Sequence, residues 1–250
     1  MIQLTIIGTG AVAKNLYQAF TAAEKVQLQI IGRSKEALEY FSMAKTTTDF
    51  TRAQDSSIVL LAVSDSAVAI CEEAIGPTNS IVAHCAGSLS IDTLQAENAG
   101  VFYPLQTFNT KKTVSFENIP ILIEATNTPT LKTLRTVANS ISNDVRERSS
   151  ADRRNAHLAA VFANNFSNYL FGVSKELLKE FNLEDDLLDE LILQTAKNAV
   201  DFNPNSIQSG PAKRNDIDTI QRQLHLISDS NHKKLYLQLT NAIKEQYHEL

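Results

Sequence analysis

Three groups of residues could carry chemistry by type and spacing. The first, Gly8-Thr9-Gly10-Ala11-Val12-Ala13, reads G-x-G-x-x-A. Gly8 permits a tight turn, Gly10 lets backbone approach a pyrophosphate with no Cβ in the way, and Ala13 keeps the following helix close to its strand. An anion held there meets free N–H groups and the positive end of the helix dipole. Taken alone the pattern is also a glycine turn of some other α/β protein. Here it follows an apolar strand, opens a helix and sits inside a strand–helix–strand stretch over residues 2–31, the context a dinucleotide site requires. The second strand ends in Ile31-Gly32-Arg33-Ser34, where an NAD site usually places a carboxylate for the ribose 2′-hydroxyl. Arg33 can form charge-assisted bonds to a 2′-phosphate and Ser34 can donate a hydroxyl, so NADP is expected rather than NAD. The plainer alternative for Arg33 is a solvated loop residue, or one that stacks on adenine.

The second group lies at the ends of later strands. Ile58 to Val63 is an almost unbroken apolar run, as a central parallel strand covered on both faces requires. Ligands of such sheets bind at the strands' carboxyl ends, which makes Ala62, Val63 and Ser64 candidate cofactor contacts, with Ala86 and Gly87 after a strand over 80–85. Ser64-Asp65-Ser66 could equally cap the helix expected over 67–74, and the later Ala-Gly could simply turn the chain.

The third group is in the second half. A helix expected from 150 to 181 carries His157, Asn164 and Asn168 at i, i+7 and i+11, a polar stripe on an otherwise apolar rod. Buried amides and imidazoles need partners, so the stripe either faces a ligand or bonds neighbouring helices. His157 is the first candidate proton donor because imidazole titrates near neutrality, with Tyr103 and Lys213 behind it. Later, Ser209 to Asp216 reads SGPAKRND. Gly210 and Pro211 would fix a turn, and Asp216 would cap a helix from Ile217 and orient Arg214. Lys213 or Arg214 would meet a substrate carboxylate, with Gln106 and Thr107 opposite.

These groups need a scaffold, and the composition supplies one. The chain has 250 residues, 43% of them hydrophobic, and a net charge of −5. That is enough for a sizeable core, and it carries no cationic footprint for nucleic acid. No apolar run reaches membrane-spanning length and no cationic leader precedes the first strand, so a cytoplasmic protein is expected. Cys71 and Cys85 are too few for a zinc site and too far apart for a CxxC pair, so free thiols and no metal are expected. Further strands are expected at 101–103 and 119–123, a helix at 130–142 and an extended link at 144–148. Beyond that the chain reads as helical except near 203–215.

The G-x-G-x-x-A turn, GRS, LLAVSD, HCAGS, YPLQTF, AHLAAVFANNF and SGPAKRND, in that order, resemble the Rossmann-like proteins that carry a DUF2520 C-terminal domain. These are often labelled NADP oxidoreductases and are similar in architecture to pyrroline-5-carboxylate reductases and F420-dependent NADP oxidoreductases. Two positions depart from the family's H-P-L-Q-T-F and G-P-x-x-R-G-D: Tyr103 replaces His and Asn215 replaces Gly. The resemblance implies a Rossmann-type doubly wound parallel sheet (1–127) followed by an all-α domain similar to the C-terminal domain of 6-phosphogluconate dehydrogenase (128–250). It also implies a homodimer through the helices and a substrate between the domains. Set against the β-hydroxyacid dehydrogenase pattern G-x-x-x-K-x-x-x-N, Ala160, Asn164 and Asn168 leave Asn in the place of the catalytic Lys. The expectation is hydride transfer between NADP(H) and a small carbonyl, imine or alcohol. The competing readings are a non-catalytic NADP-binding sensor dimer and a structural dimer with a vestigial nucleotide site.

Overall fold

Alternation along the strands decides the layers. The structure, a computed structural model, describes residues 1–23 and 26–248. In β1 (Ile2–Ile7), Leu4 and Ile6 are buried on one face of the sheet and Ile7 on the other. The first face packs on α1 (Ala11–Thr21) through Leu16 and Phe20, with Val12 and Ala19 partly buried beside them. After β2 (Val26–Ile31), α2 (Lys35–Leu38) and β3 (Lys45–Thr47) comes β4 (Ile58–Leu61), whose four residues are all fully buried. The second face is closed by α3 (Val68–Ile75), which sets Val68, Cys71 and Ile75 against Ile7, Ile31, Val59 and Leu61.

The sheet continues through β5 (Ile81–His84), β6 (Ala99–Pro104) and β7 (Ile121–Ala125). Next come α4 (Thr128–Asn139), β8 (Val145–Glu147) and α5 (Ser150–Ala160). The strand order is β3-β2-β1-β4-β5-β6-β7-β8, parallel throughout except for the β6/β7 pair. β1 pairs with both β2 and β4, so the winding reverses between β1 and β4. This is the Rossmann-type doubly wound sheet expected from the sequence, and its crevice for ligands lies at that reversal. Leu134 and Val137 of α4 belong to the core of the sheet and β8 pairs with β7. The first compact unit therefore runs over Met1–Asn164, where the sequence placed a dinucleotide domain over 1–127.

The second unit, from Asn165, is all helical. It comprises α6 (Ser167–Glu180), α7 (Asp189–Asp201), α8 (Pro204–Ile207), α9 (Ile217–Leu226) and α10 (Ser230–Tyr247). Its buried apolar side chains are few, among them Leu178, Ala212, Ile220 and Ile227, while Leu191, Leu193, Val200 and Phe202 are exposed. Asp216 caps α9 as the sequence suggested, Oδ1 accepting from the Thr219 N–H at 3.0 Å. Among the described residues no hydrogen bond or ion pair joins that carboxylate to Arg214, which acts on it only as a nearby positive charge favouring its ionised form, after the Thr219 hydrogen bonds and Arg222. No helix among the described residues is long and apolar enough to cross a membrane.

Candidate functional site

The carboxyl ends of β1, β2 and β4 meet at the reversal. Gly8 has φ 130°, and its N–H donates to the Ile31 carbonyl at 2.9 Å. A β-carbon at position 8 would fall 2.2 Å from the Ala62 carbonyl oxygen, so only glycine lets the turn pass β4. Gly10 is the N-cap of α1, where no side chain caps the helix and no acidic residue stands in the first turn. A β-carbon on Gly10 would meet nothing within 4 Å. The opening turn of α1 thus offers N–H donors and the dipole's positive end to open space.

That space is a cavity of about 760 Å³. Gly8, Thr9, Gly10, Ala11 and Val12 line it along one side, and Arg33 with Ala62, Val63 and Ser64 along the others. Four of the residues named from sequence as cofactor contacts lie outside its lining. Ala13 is on the buried face of α1, Ser34 caps α2 by accepting from the Ala37 N–H at 3.3 Å, and Ala86 and Gly87 belong to a second locus described below. No side chain of Ser64-Asp65-Ser66 caps the short helical turn at Asp65–Ala67 or α3 beyond it, which corrects that expectation. The Ser64 hydroxyl instead lies 3.4 Å from that of Ser66, and Asp65 accepts from the Ser88 hydroxyl. Sequence reasoning missed the cavity's apolar wall, Phe50, Ile70 and Cys71, because these residues carry no motif and reach the site only through the turn before β4 and through α3. Burial pushes the Cys71 thiol up, with Arg33 opposing.

The second locus lies at the ends of β5 and β6. The Tyr103 hydroxyl and His157 Nδ1 are 3.1 Å apart, their rings edge to face at 6.0 Å. Gly87 is packed against both: a β-carbon there would stand 2.7 Å from His157 Nδ1 and 2.8 Å from Tyr103 Cζ. Burial pushes the Tyr103 phenol up, with Arg153 partly opposing, so the hydroxyl keeps its proton at neutral pH. The fully buried His84 is pushed down to about 4, first by burial and then by Arg153. Its Nδ1 accepts from the Ala86 N–H at 3.2 Å, which leaves Nε2–H to donate to the Ser90 carbonyl at 3.3 Å. Neither His84 nor Arg153 was singled out from sequence.

The remaining predicted residues belong to both compact units. Gln106 and Thr107 are exposed after β6, where Gln106 Oε1 accepts from the Thr107 N–H at 2.8 Å. Asn164 lies in a π-helical segment, Val161–Phe166, that interrupts the expected continuous helix. With that wider winding, seven residues no longer return to one face, so the stripe joining His157 to Asn164 is not kept. Asn168 is exposed on α6, and Gly210 turns the chain at φ 106°. Arg214 is exposed, whereas the Lys213 amine donates to the Gln208 carbonyl at 2.7 Å and sits 5.0 Å over the Tyr247 ring. Both cysteines are free, and no cluster among the described residues could hold a metal ion.

Sheet order, glycine turn and open helix start together define a Rossmann-type α/β protein with an anion-ready site at its winding reversal. More particularly, the chain belongs to the family described as "Domain of unknown function (DUF2520)", which matches residues 119–243, half of its length. A solved Bacteroides fragilis protein described as a "putative NADP oxidoreductase" is 32% identical over 98% of both chains, with a TM-score of 0.90. A Thermotoga maritima protein is 21% identical over 98% of both, with a TM-score of 0.74. Pyrroline carboxylate reductase from Plasmodium falciparum, solved with NADP bound, is 16% identical over 97% of this chain and 98% of its own, with a TM-score of 0.66. No curated protein sequence matches.

Proposed function

We propose that the chain is an NADP-dependent oxidoreductase acting on a small carbonyl, imine or alcohol. The observation that carries this is the uncapped start of α1, opening beside Gly10 into a cavity that also presents Arg33 and no carboxylate at the end of β2. These residues fit a phosphorylated dinucleotide: α1's N–H groups would hold the pyrophosphate, Arg33 the 2′-phosphate, and Phe50, Ile70 and Cys71 the adenine. Bound NADPH would supply a hydride. The chain would supply the proton, and the Tyr103–His157 pair is the group placed to do so. Lys213 is a weaker donor because its amine is already engaged within its own unit. Gln106, Thr107 and Asn164 are proposed substrate contacts of the first unit.

The fold of pyrroline carboxylate reductase, together with the name of the B. fragilis relative, supports a nicotinamide cofactor. A homodimer through the helical unit is part of the proposal, supported by the exposed Leu191, Leu193, Val200 and Phe202. A non-catalytic NADP sensor is the second reading, favoured by the engaged amine of Lys213. Titrating the protein with NADPH and NADH by fluorescence, then following NADPH absorbance across a panel of carbonyls and imines, separates the two. Binding without turnover over a broad panel favours the sensor, and no saturable binding of either cofactor rejects both.

A further inference from the structure

Arg153 is the largest fully buried side chain described in the protein. Its Nη1 donates to Glu124 Oε2 at 2.6 Å, and its Nη2 donates to the Leu89 carbonyl and, at 3.2 Å, to the Ser150 hydroxyl. Ser150 in turn donates to Glu124 Oε2 at 2.7 Å and accepts from the Ile91 N–H at 2.9 Å. Arg153 Nε has no partner. Burying a guanidinium with an N–H left over is a poor way to dock a helix, since apolar side chains of similar volume would serve as well or better. What the charge faces is more specific. Arg153 and His157 are four residues apart on α5 and so share a face. Leu89, whose carbonyl Arg153 grips, lies two residues after Gly87, whose missing β-carbon makes room for the Tyr103 and His157 rings. The titratable and charged groups of this cluster are Arg153 and His157 on α5, Tyr103 on β6, Glu124 on β7, His84 on β5 and Asp65 in the helical turn after β4, which accepts from the Ser88 hydroxyl.

We propose that Arg153 is the positioning residue of the Tyr103–His157 pair: it fixes the rotation of α5 that brings His157 to Tyr103, and its buried positive charge stabilises the oxygen of Tyr103 as the phenol yields its proton. This rests on the reading that the pair supplies the proton of a reduction. In that step the Nε2 proton of His157 passes to the substrate's oxygen or nitrogen. The Tyr103 hydroxyl proton moves to Nδ1; after product leaves, water reprotonates Nε2 and Nδ1 returns its proton to the phenolate, which restores the pair. Gly87 is the steric partner of the arrangement, because any side chain there displaces both rings.

The test needs no substrate. Full-length protein labelled with ¹⁵N-histidine and ζ-¹³C-tyrosine is titrated by NMR, with Tyr103→Phe and His157→Gln assigning the signals. The main variant is the paired Arg153→Met/Glu124→Leu, which removes the ion pair without leaving one charge unpaired. The Tyr103 phenol should then ionise about one pH unit higher than in the wild type, and the His157 Nδ1 signal should lose its hydrogen-bonded shift. Should the paired variant fail to fold, Arg153→Lys keeps the charge but not the planar fork. It should leave Tyr103 ionisation near the wild-type value while the His157 signal moves. Wild-type behaviour of both rings in a folded variant overturns the proposal. NADPH titration of the same samples is the separate control, since a wild type that binds no NADPH rejects the cofactor reading and leaves the ring measurement standing.

Discussion

The Ala62 carbonyl oxygen occupies the place that a side chain at position 8 would need: a β-carbon on Gly8 would approach it to 2.2 Å. Backbone of β4 is the obstacle, so no rotamer relieves it, and φ 130° is itself a conformation that L side chains rarely adopt. Gly8→Ala should destabilise the protein by about 2–3 kcal/mol in urea denaturation and abolish saturable NADPH binding. Gly10→Ala is the instructive contrast. Its β-carbon enters open space, so stability should hold while NADPH affinity falls.

Arg33 is the exposed cation at the end of β2 that lines the cavity. Arg33→Asp exchanges a partner for a 2′-phosphate worth about 1.5–3 kcal/mol for a repelling charge, a loss of roughly 10- to 150-fold in NADPH affinity. NADH affinity should change much less. Equal affinities for both cofactors before and after the substitution would remove the 2′-phosphate assignment.

Asn215 has φ 53°, in the left-handed region where glycine is unstrained and asparagine is the side chain best tolerated. This gives a physical reason for asparagine standing where the family's G-P-x-x-R-G-D has glycine. Asn215→Gly should alter stability by no more than about 0.5 kcal/mol, whereas Asn215→Val should lose about 1–2 kcal/mol, both read from urea midpoints.

His84 gives stability a pH dependence of known sign. Its folded-state pKa, about 4, lies below the ordinary 6.5, so between those values the unfolded chain binds the extra proton. The contribution is whole above about pH 6.5 and is lost as pH falls towards 4, a decline on the order of 3 kcal/mol. Urea denaturation at pH 7.5 and pH 5 should show it, and His84→Gln should flatten the slope over that interval.

The first half of the fold was legible because its signals are local. β1, the glycine turn and α1 are adjacent in sequence, and the apolar run of β4 announces burial on both faces. The second locus was only partly legible. Tyr103 and His157 were each noticed, but 54 residues separate them, and nothing in either segment announces the contact. Arg153 was invisible because its meaning comes from Glu124 and from the Leu89 carbonyl, 29 and 64 residues away. The π-helical segment escaped because nothing in VFANNF distinguishes a π turn from an α turn. Lys213 read as an available cation because its partners, the Gln208 carbonyl and the Tyr247 ring, leave no trace in composition.

Those partners bear on how the SGPAKRND stretch moves. Tyr247 donates its hydroxyl to the Asn205 carbonyl at 2.6 Å, and His248 Nε2 meets the Lys213 carbonyl at 2.7 Å. Both residues stand at the closing turn of α10, where a helix frays first. Each brief unwinding of that turn would release the Asn205 and Lys213 carbonyls together, which ties the middle of the stretch to a helix end 35 residues further along the chain.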